Sequence, residues 1–354
     1  MKRTQVHIQL LQRFRIIFPV IFLLNFADCN GKATLEGNVN TKDMHTVAVV
    51  ESVFRNDTVP VKKYNDTAAF RLKTLQLANG DKAGKWPPVT ALPATGSILP
   101  YKRIVAFYGN FYCTGMGILG EFAPPVMIQK LKKQAAAWEA ADPGTPVVPA
   151  IHYIAVTAQG SPCAGTCRLR MPDDQVNKAI ALADSVKGIV FLDIQVGLSS
   201  LQQELPRLEK FLKLPNVHLG IDPEFSMKSG KKPGSSIGTF DAADINYAMA
   251  LLAKFVKQYQ LPPKILVVHR FTAPMLTNYK QVITIPEVQV VINMDGFGSP
   301  ILKKSSYRYF IYNQPVQFAG FKVFYKNDLN KGGRIMLPAD ILQLQPQPIY
   351  IQYQ

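Results

Sequence analysis

The stretch Val217-His218-Leu219-Gly220-Ile221-Asp222-Pro223-Glu224-Phe225 is an apolar run that ends in two carboxylates. Read as a β-strand over 217–225, it places His218, Gly220, Asp222 and Glu224 on one face, with Leu219 and Ile221 on the other. Two residues of strand separate Cα atoms by roughly 6–7 Å, close enough for one ionised acid to raise the pKa of its neighbour. A carboxyl kept protonated in this way suits general acid chemistry. Two more acids end apolar runs, Asp193 in Leu192-Asp-Ile-Gln195 and Asp295 in Asn293-Met-Asp-Gly-Phe-Gly298. One of Asp222 and Glu224 is therefore read as a proton donor, and Asp193 or Asp295 as the second carboxylate, serving as base or electrostatic stabiliser.

Tyr108, Asn110, Gln195, His269, Asn293, Phe297, Tyr325 and Gln352 stand at or near the ends of other runs and are the expected substrate contacts. Taken singly, Asp193, Gln195 or Asn293 could merely bridge neighbouring strands, and His269 could be a satisfied rim histidine. Their gathering around Asp222 and Glu224 is what argues for a site.

The elements that must position these groups follow a regular alternation. Strands are predicted over 103–108, 147–156, 189–195, 217–225, 265–269, 288–294, 318–325 and 349–353. Between them the apolar spacing predicts helices over 124–141, 172–188, 200–212, 241–260, 274–281 and 299–312, with a turn near 338–342. The clearest helix carries Ile245, Ala248, Met249, Leu252, Val256 and Tyr259 as an apolar stripe and stops before Pro262-Pro263. This order predicts an α/β (β/α)8 TIM barrel over 101–354, in which functional residues gather at the C-terminal strand ends. An open doubly wound sheet would carry a Gly-rich phosphate turn after an early strand, and none has that spacing.

The chain of 354 residues divides further upstream. Lys2, Arg3, Arg13 and Arg15 precede an apolar stretch over 16–27, the pattern of an export signal, so 1–29 is read as a signal peptide or lipid-anchor segment with Cys29 at its edge. Residues 30–100, interrupted by Asn, Asp, Gly and Pro, are read as a poorly structured linker. An exported location, periplasmic, cell-surface or secreted, follows, with possible membrane anchoring through the N-terminus.

The formal charge of +16 favours anionic surroundings. No helix-turn-helix, zinc-finger or aromatic RNA-binding pattern accompanies it, so nucleic acid is not the expected partner. Among the four cysteines, Cys163 is expected to pair with Cys167 or Cys113, a zinc site joining them to His152 being the lesser reading. No cofactor is expected.

Carboxylates at a barrel mouth bordered by Tyr108, Tyr112, Phe225, Phe297 and Tyr325 suit sugar recognition and acid-assisted glycosidic cleavage. Gly220-Ile-Asp222-Pro-Glu224 resembles the end of the strand-four motif of chitinase-like glycoside hydrolases, and Met294-Asp-Gly-Phe-Gly298 is similar to their strand-six segment. The resemblance implies that Glu224 is the acid and that Asp222 raises its pKa. Val217 and Gly220 stand where that family carries further aspartates, and Met294 where it carries a tyrosine. The strand ends together also resemble exported bacterial barrel proteins of unassigned function. The expected activity is a glycoside hydrolase acting on a polysaccharide or cell-wall glycan. A non-catalytic polysaccharide-binding envelope protein is the first alternative, and a metal-assisted hydrolase using His269 and the acids the second.

Overall fold

A computed structural model of the chain describes residues 66–160 and 162–354. The export segment, Cys29 and the first half of the expected linker lie outside the described residues. Eight parallel strands close on themselves: β1 (Arg103–Gly109), β2 (Val147–Ala158), β3 (Ile189–Ile194), β4 (Val217–Ile221), β5 (Lys264–Arg270), β6 (Val288–Met294), β7 (Phe318–Val323) and β8 (Tyr350–Tyr353). β1 pairs with both β2 and β8, and that double pairing makes the sheet a barrel.

Each strand is apolar on both faces because each face meets a different core. Outward residues such as Val105, Phe107, Leu219 and Ile221 pack under the helices, where Met127, Leu131 and Trp138 of the helix Pro124–Ala141 lie. Inward residues Ile104, Ala106, Ala150, Ile189, Phe191, Ile265, Val267 and Val291 fill the lower barrel. One step further along the same inward face the residues turn polar: Tyr108, His152, Asp193, His269, Asn293 and Lys322 are all buried.

The helix Ala242–Tyr259 starts with a capping box, in which Asp241 accepts from Ala243 N and Asp244 accepts from Asp241 N at 2.7 Å. Its stripe is buried as expected except Tyr259, which is exposed and donates to Glu209. The helix expected over 274–281 is instead a short strand, Leu276–Thr277, paired with Phe240–Asp241, and a single turn, Tyr279–Gln281. Asn278 sits between them in the left-handed region at φ 55°, which a continuing helix cannot accommodate.

The described part of the expected linker is folded against the barrel. Residues Thr67–Leu77 form a helix, and Trp86 is buried with its indole N–H donating to Tyr312 O. Leu99 is fully buried at the base, its backbone exchanging hydrogen bonds with the Gln289 amide at 3.1 and 2.7 Å. Gly and Pro here shape a wrapping segment rather than a free tether. Among the described residues no helix is long and apolar enough to cross a membrane.

Candidate active site

Asp193, fully buried on β3, is the hub of the polar layer. The Tyr108 hydroxyl donates to its Oδ2 at 2.9 Å. Its Oδ1 lies 3.4 Å from His152 Nε2 and 3.5 Å from His269 Nε2. His269 turns its other nitrogen, Nδ1, to Asp295 Oδ2 at 2.9 Å, and Asp295 Oδ1 is 2.8 Å from Lys322 Nζ. That ammonium also stands 3.9 Å from the centroid of the Tyr108 ring, a cation–π contact.

The electrostatics follow from this chain of alternating charge. Burial opposes ionisation of Asp193, but His269 and His152 outweigh it and hold the carboxyl well below the usual range. Burial opposes the charge on Asp295 as well, and Lys322 and His269 again prevail. For His269 burial disfavours the imidazolium, yet Asp193 and Asp295 push its pKa up to about 10. His152 goes the other way, down to about 4, because burial exceeds what Asp193 returns. Asp193, His269, Asp295 and Lys322 thus form a buried quartet with no net charge.

Asp222 and Glu224 do not continue the strand. β4 ends at Ile221, and Pro223, which has no N–H and a fixed φ, opens a single turn over Pro223–Phe225. Asp222 caps this turn, its Oδ1 accepting from Glu224 N at 3.0 Å. The expectation of two acids on one strand face is therefore corrected, since the proline redirects the chain and only Asp222 is sealed. Glu224 remains partly exposed at the rim. Burial, reinforced by Asp193 and Asp295, raises Asp222 to about 7. Burial, then the charges of Asp222 and Asp295, raises Glu224 to about 8. Gln195 links the two acid groups, its Nε2 lying 3.4 Å from Tyr108 Oη and 3.5 Å from Asp222 Oδ2.

Asp193, Asp222, Glu224 and Asp295 therefore converge at one end of the barrel, with Tyr108, Gln195 and His269 among them. Asn293 and Gln352 lie fully buried, the Asn293 amide donating to Gln352 Oε1 at 3.3 Å. Asn110 pins the loop after β1, donating to Ile154 O at 3.0 Å and accepting from Tyr112 N at 2.9 Å. Phe297 packs edge-on against Phe324, and Tyr325 stacks on Tyr353 while donating to Gln134. Of the expected aromatic border, Tyr108 and Phe225 are buried and Tyr112 is exposed.

Sequence reasoning did not place His152 or Lys322 at the site. Both occupy the inward phase of their strands, His152 with Ala150 and Lys322 with Phe318 and Gly320, so counting in twos back from the strand ends would have found them. Cys163 is bonded to Cys167, which chooses between the two pairings and removes the thiolates of the zinc site considered with His152. Two cavities, of about 300 and 400 Å3, lie away from the rim, one at the base beside Lys73, Asp142 and Gln347, the other beside Arg170, Glu204 and Arg207.

Fold and site together define a (β/α)8 barrel with Asp222 and Glu224, both with raised pKa values, just beyond the C-terminal end of β4 and a buried ion-paired quartet beside them. No family model matches the chain, and no curated protein matches it. Among solved structures it is similar to a GH5 family lichenase from Caldicellulosiruptor sp. F32, with TM-score 0.39 and 9% identity over 75% of this chain and 88% of that one. It is also similar to a ruminal GH26 endo-beta-1,4-mannanase, with TM-score 0.33 and 10% identity over 71% of this chain and 59% of that one. The HPPK-DHPS of Plasmodium falciparum with pteroate follows, with TM-score 0.27 and 12% identity over 66% of this chain and 47% of that one. These likenesses are remote, and the barrel rests on its own strand pairing.

Proposed function

We propose that the chain hydrolyses glycosidic bonds in a polysaccharide, with Glu224 as the general acid. One observation carries the reading: two carboxyls near the same rim have pKa values driven apart, Glu224 up to about 8 and Asp295 below the usual range. Such a division leaves one group with a proton to give and another with charge to offer a cationic transition state. Asp295 is preferred to Asp193 as the second carboxylate. Asp193 is sealed and already shared among Tyr108, His152 and His269, whereas Asp295 keeps 7% exposure. Asp222 acts through Glu224, fixing its backbone and raising its pKa.

We also place the protein outside the cytosol, on the export-like N-terminus, and the Cys163–Cys167 bond fits an oxidising compartment. Anchoring through Cys29 and a cell-wall glycan as partner belong to the same proposal, and the +16 charge favours an anionic polymer.

The test is turnover of a panel of β-glucans, mannans and cell-wall glycans. Glu224→Gln should lose activity by about 10²–10⁴-fold while still binding. A polysaccharide-binding barrel without turnover is the second reading. It is favoured by the engagement of Asp295 with both Lys322 and His269, which weakens it as a nucleophile. Tight binding by the wild-type protein with no product from any substrate would select it.

A further inference from the structure

Three buried atoms in the barrel core face one another, His152 Nε2, Asp193 Oδ1 and His269 Nε2, joined only by the long contacts through Asp193 and with no hydrogen-bond partner outside the trio. Buried polar atoms are seldom left so. Asp193 Oδ1 is 3.4 Å from one ring nitrogen and 3.5 Å from the other, and all three atoms lie within 4.8 Å of one another. A tetrahedral ion with bonds of about 2.0–2.2 Å holds its ligand atoms roughly 3.3–3.5 Å apart. The two edges through Asp193 have that length without any movement.

The far side of each group is already held. Tyr108 donates to Asp193 Oδ2 at 2.9 Å, Asp295 stands 2.9 Å from His269 Nδ1, and Tyr350 Oη lies 2.5 Å from His152 Nδ1. Partners of this kind, a carboxylate behind one imidazole above all, orient metal-binding histidines. Gly220 keeps the space open, since a Cβ there would fall 2.4 Å from both Asp193 Oδ1 and His152 Nε2.

We propose that His152, Asp193 and His269 form a buried site for a divalent first-row transition ion, a site that goes beyond the glycosidic reading and does not depend on it. Two imidazoles and one carboxylate suit zinc, iron or cobalt, whereas magnesium and calcium prefer oxygen alone. The ion takes the Nε2 lone pair of each ring, so on binding the His269 imidazolium gives up its Nε2 proton to solvent and each ring keeps one proton, on Nδ1. For His269 that proton faces Asp295. For His152 it faces Tyr350 and the Gln352 amide, whose nitrogen is placed 3.1 Å away. A half-turn of this amide presents its carbonyl instead, and a matching turn of Asn293 lets Asn293 Oδ1, buried without a partner, accept from Gln352. The bound ion ties β2, β3 and β5 together.

The test uses the whole purified protein, stripped with a chelator and titrated with Zn2+ and, for its visible spectrum, Co2+. One equivalent per chain should bind, Tm should rise by several degrees in excess Zn2+, and Mg2+ or Ca2+ should do neither. His152→Asn and His269→Asn should lose that equivalent, while Glu224→Gln keeps it, so the fate of this site and that of the acid reading are separable. Wild-type protein that binds no Zn2+ at micromolar concentration overturns the proposal, as does binding unchanged in both histidine variants. If those variants fail to fold, X-ray absorption of the zinc-loaded wild type decides: two imidazoles in the coordination sphere support the site, and an all-oxygen shell overturns it.

Discussion

The carboxylate of Asp222 accepts the backbone N–H of Glu224 at 3.0 Å, so the two acids are coupled through the main chain as well as through charge. Asp222→Asn keeps an acceptor there and removes the charge. The alkaline limb of the kcat/KM profile, set by Glu224 at about 8, should move to lower pH, with burial retaining most of the elevation. Asp222→Ala removes the cap too and should cost about 1 kcal/mol more in urea unfolding.

The same elevation fixes a sign for stability. Glu224 holds its proton in the fold up to about 8, whereas the unfolded chain releases it near 4.5, so between these values the folded state binds more protons and its stability falls as pH rises. Thermal melts of wild type and Glu224→Gln from pH 4.5 to 8 isolate this contribution from opposing groups such as His152. The variant should gain about 1–3 kcal/mol relative to wild type across that window, a figure reduced for the partly exposed carboxyl.

Lys322→Met strips the quartet of one cation and leaves Asp295 facing His269 alone. Breaking one partner out of a buried ionic set costs about 3–5 kcal/mol, measurable as a lower denaturation midpoint. Replacing Asp295 as well, by Asn, should recover part of that loss.

Gly220→Ala puts a methyl carbon 2.4 Å from His152 Nε2 and Asp193 Oδ1. Overpacking of this kind costs about 1–3 kcal/mol or more, because neither neighbour can retreat from its own partners. Calorimetry of the variant should show a Tm several degrees lower. A Tm within error of wild type would mean that the layer yields more easily than its contacts imply.

The barrel was legible because every strand is an apolar run and the helix Ala242–Tyr259 carries both an apolar stripe and a capping box. The convergence of the four acids at one end of the barrel was legible for a related reason, since each lies at or near the end of such a run. What stayed hidden depends on direction. Pro223 turns Glu224 out of the strand, a local event that alternation alone cannot register. His152 and Lys322 sit within apolar runs rather than at their ends, so their inward aim becomes meaningful only when the cylinder closes and brings β2 and β7 toward β3. The base was missed because Leu99 and Trp86 lie in short segments broken by Gly and Pro, and the groups they meet come 190 and 226 residues later, at Gln289 and Tyr312.

Leu99, stoppered into the base by the Gln289 amide, shuts that end of the cylinder. Nothing can thread through it. On the proposed glycosidic reading, a long polymer would meet Glu224 only from the opposite rim, and its fragments would leave on that same side.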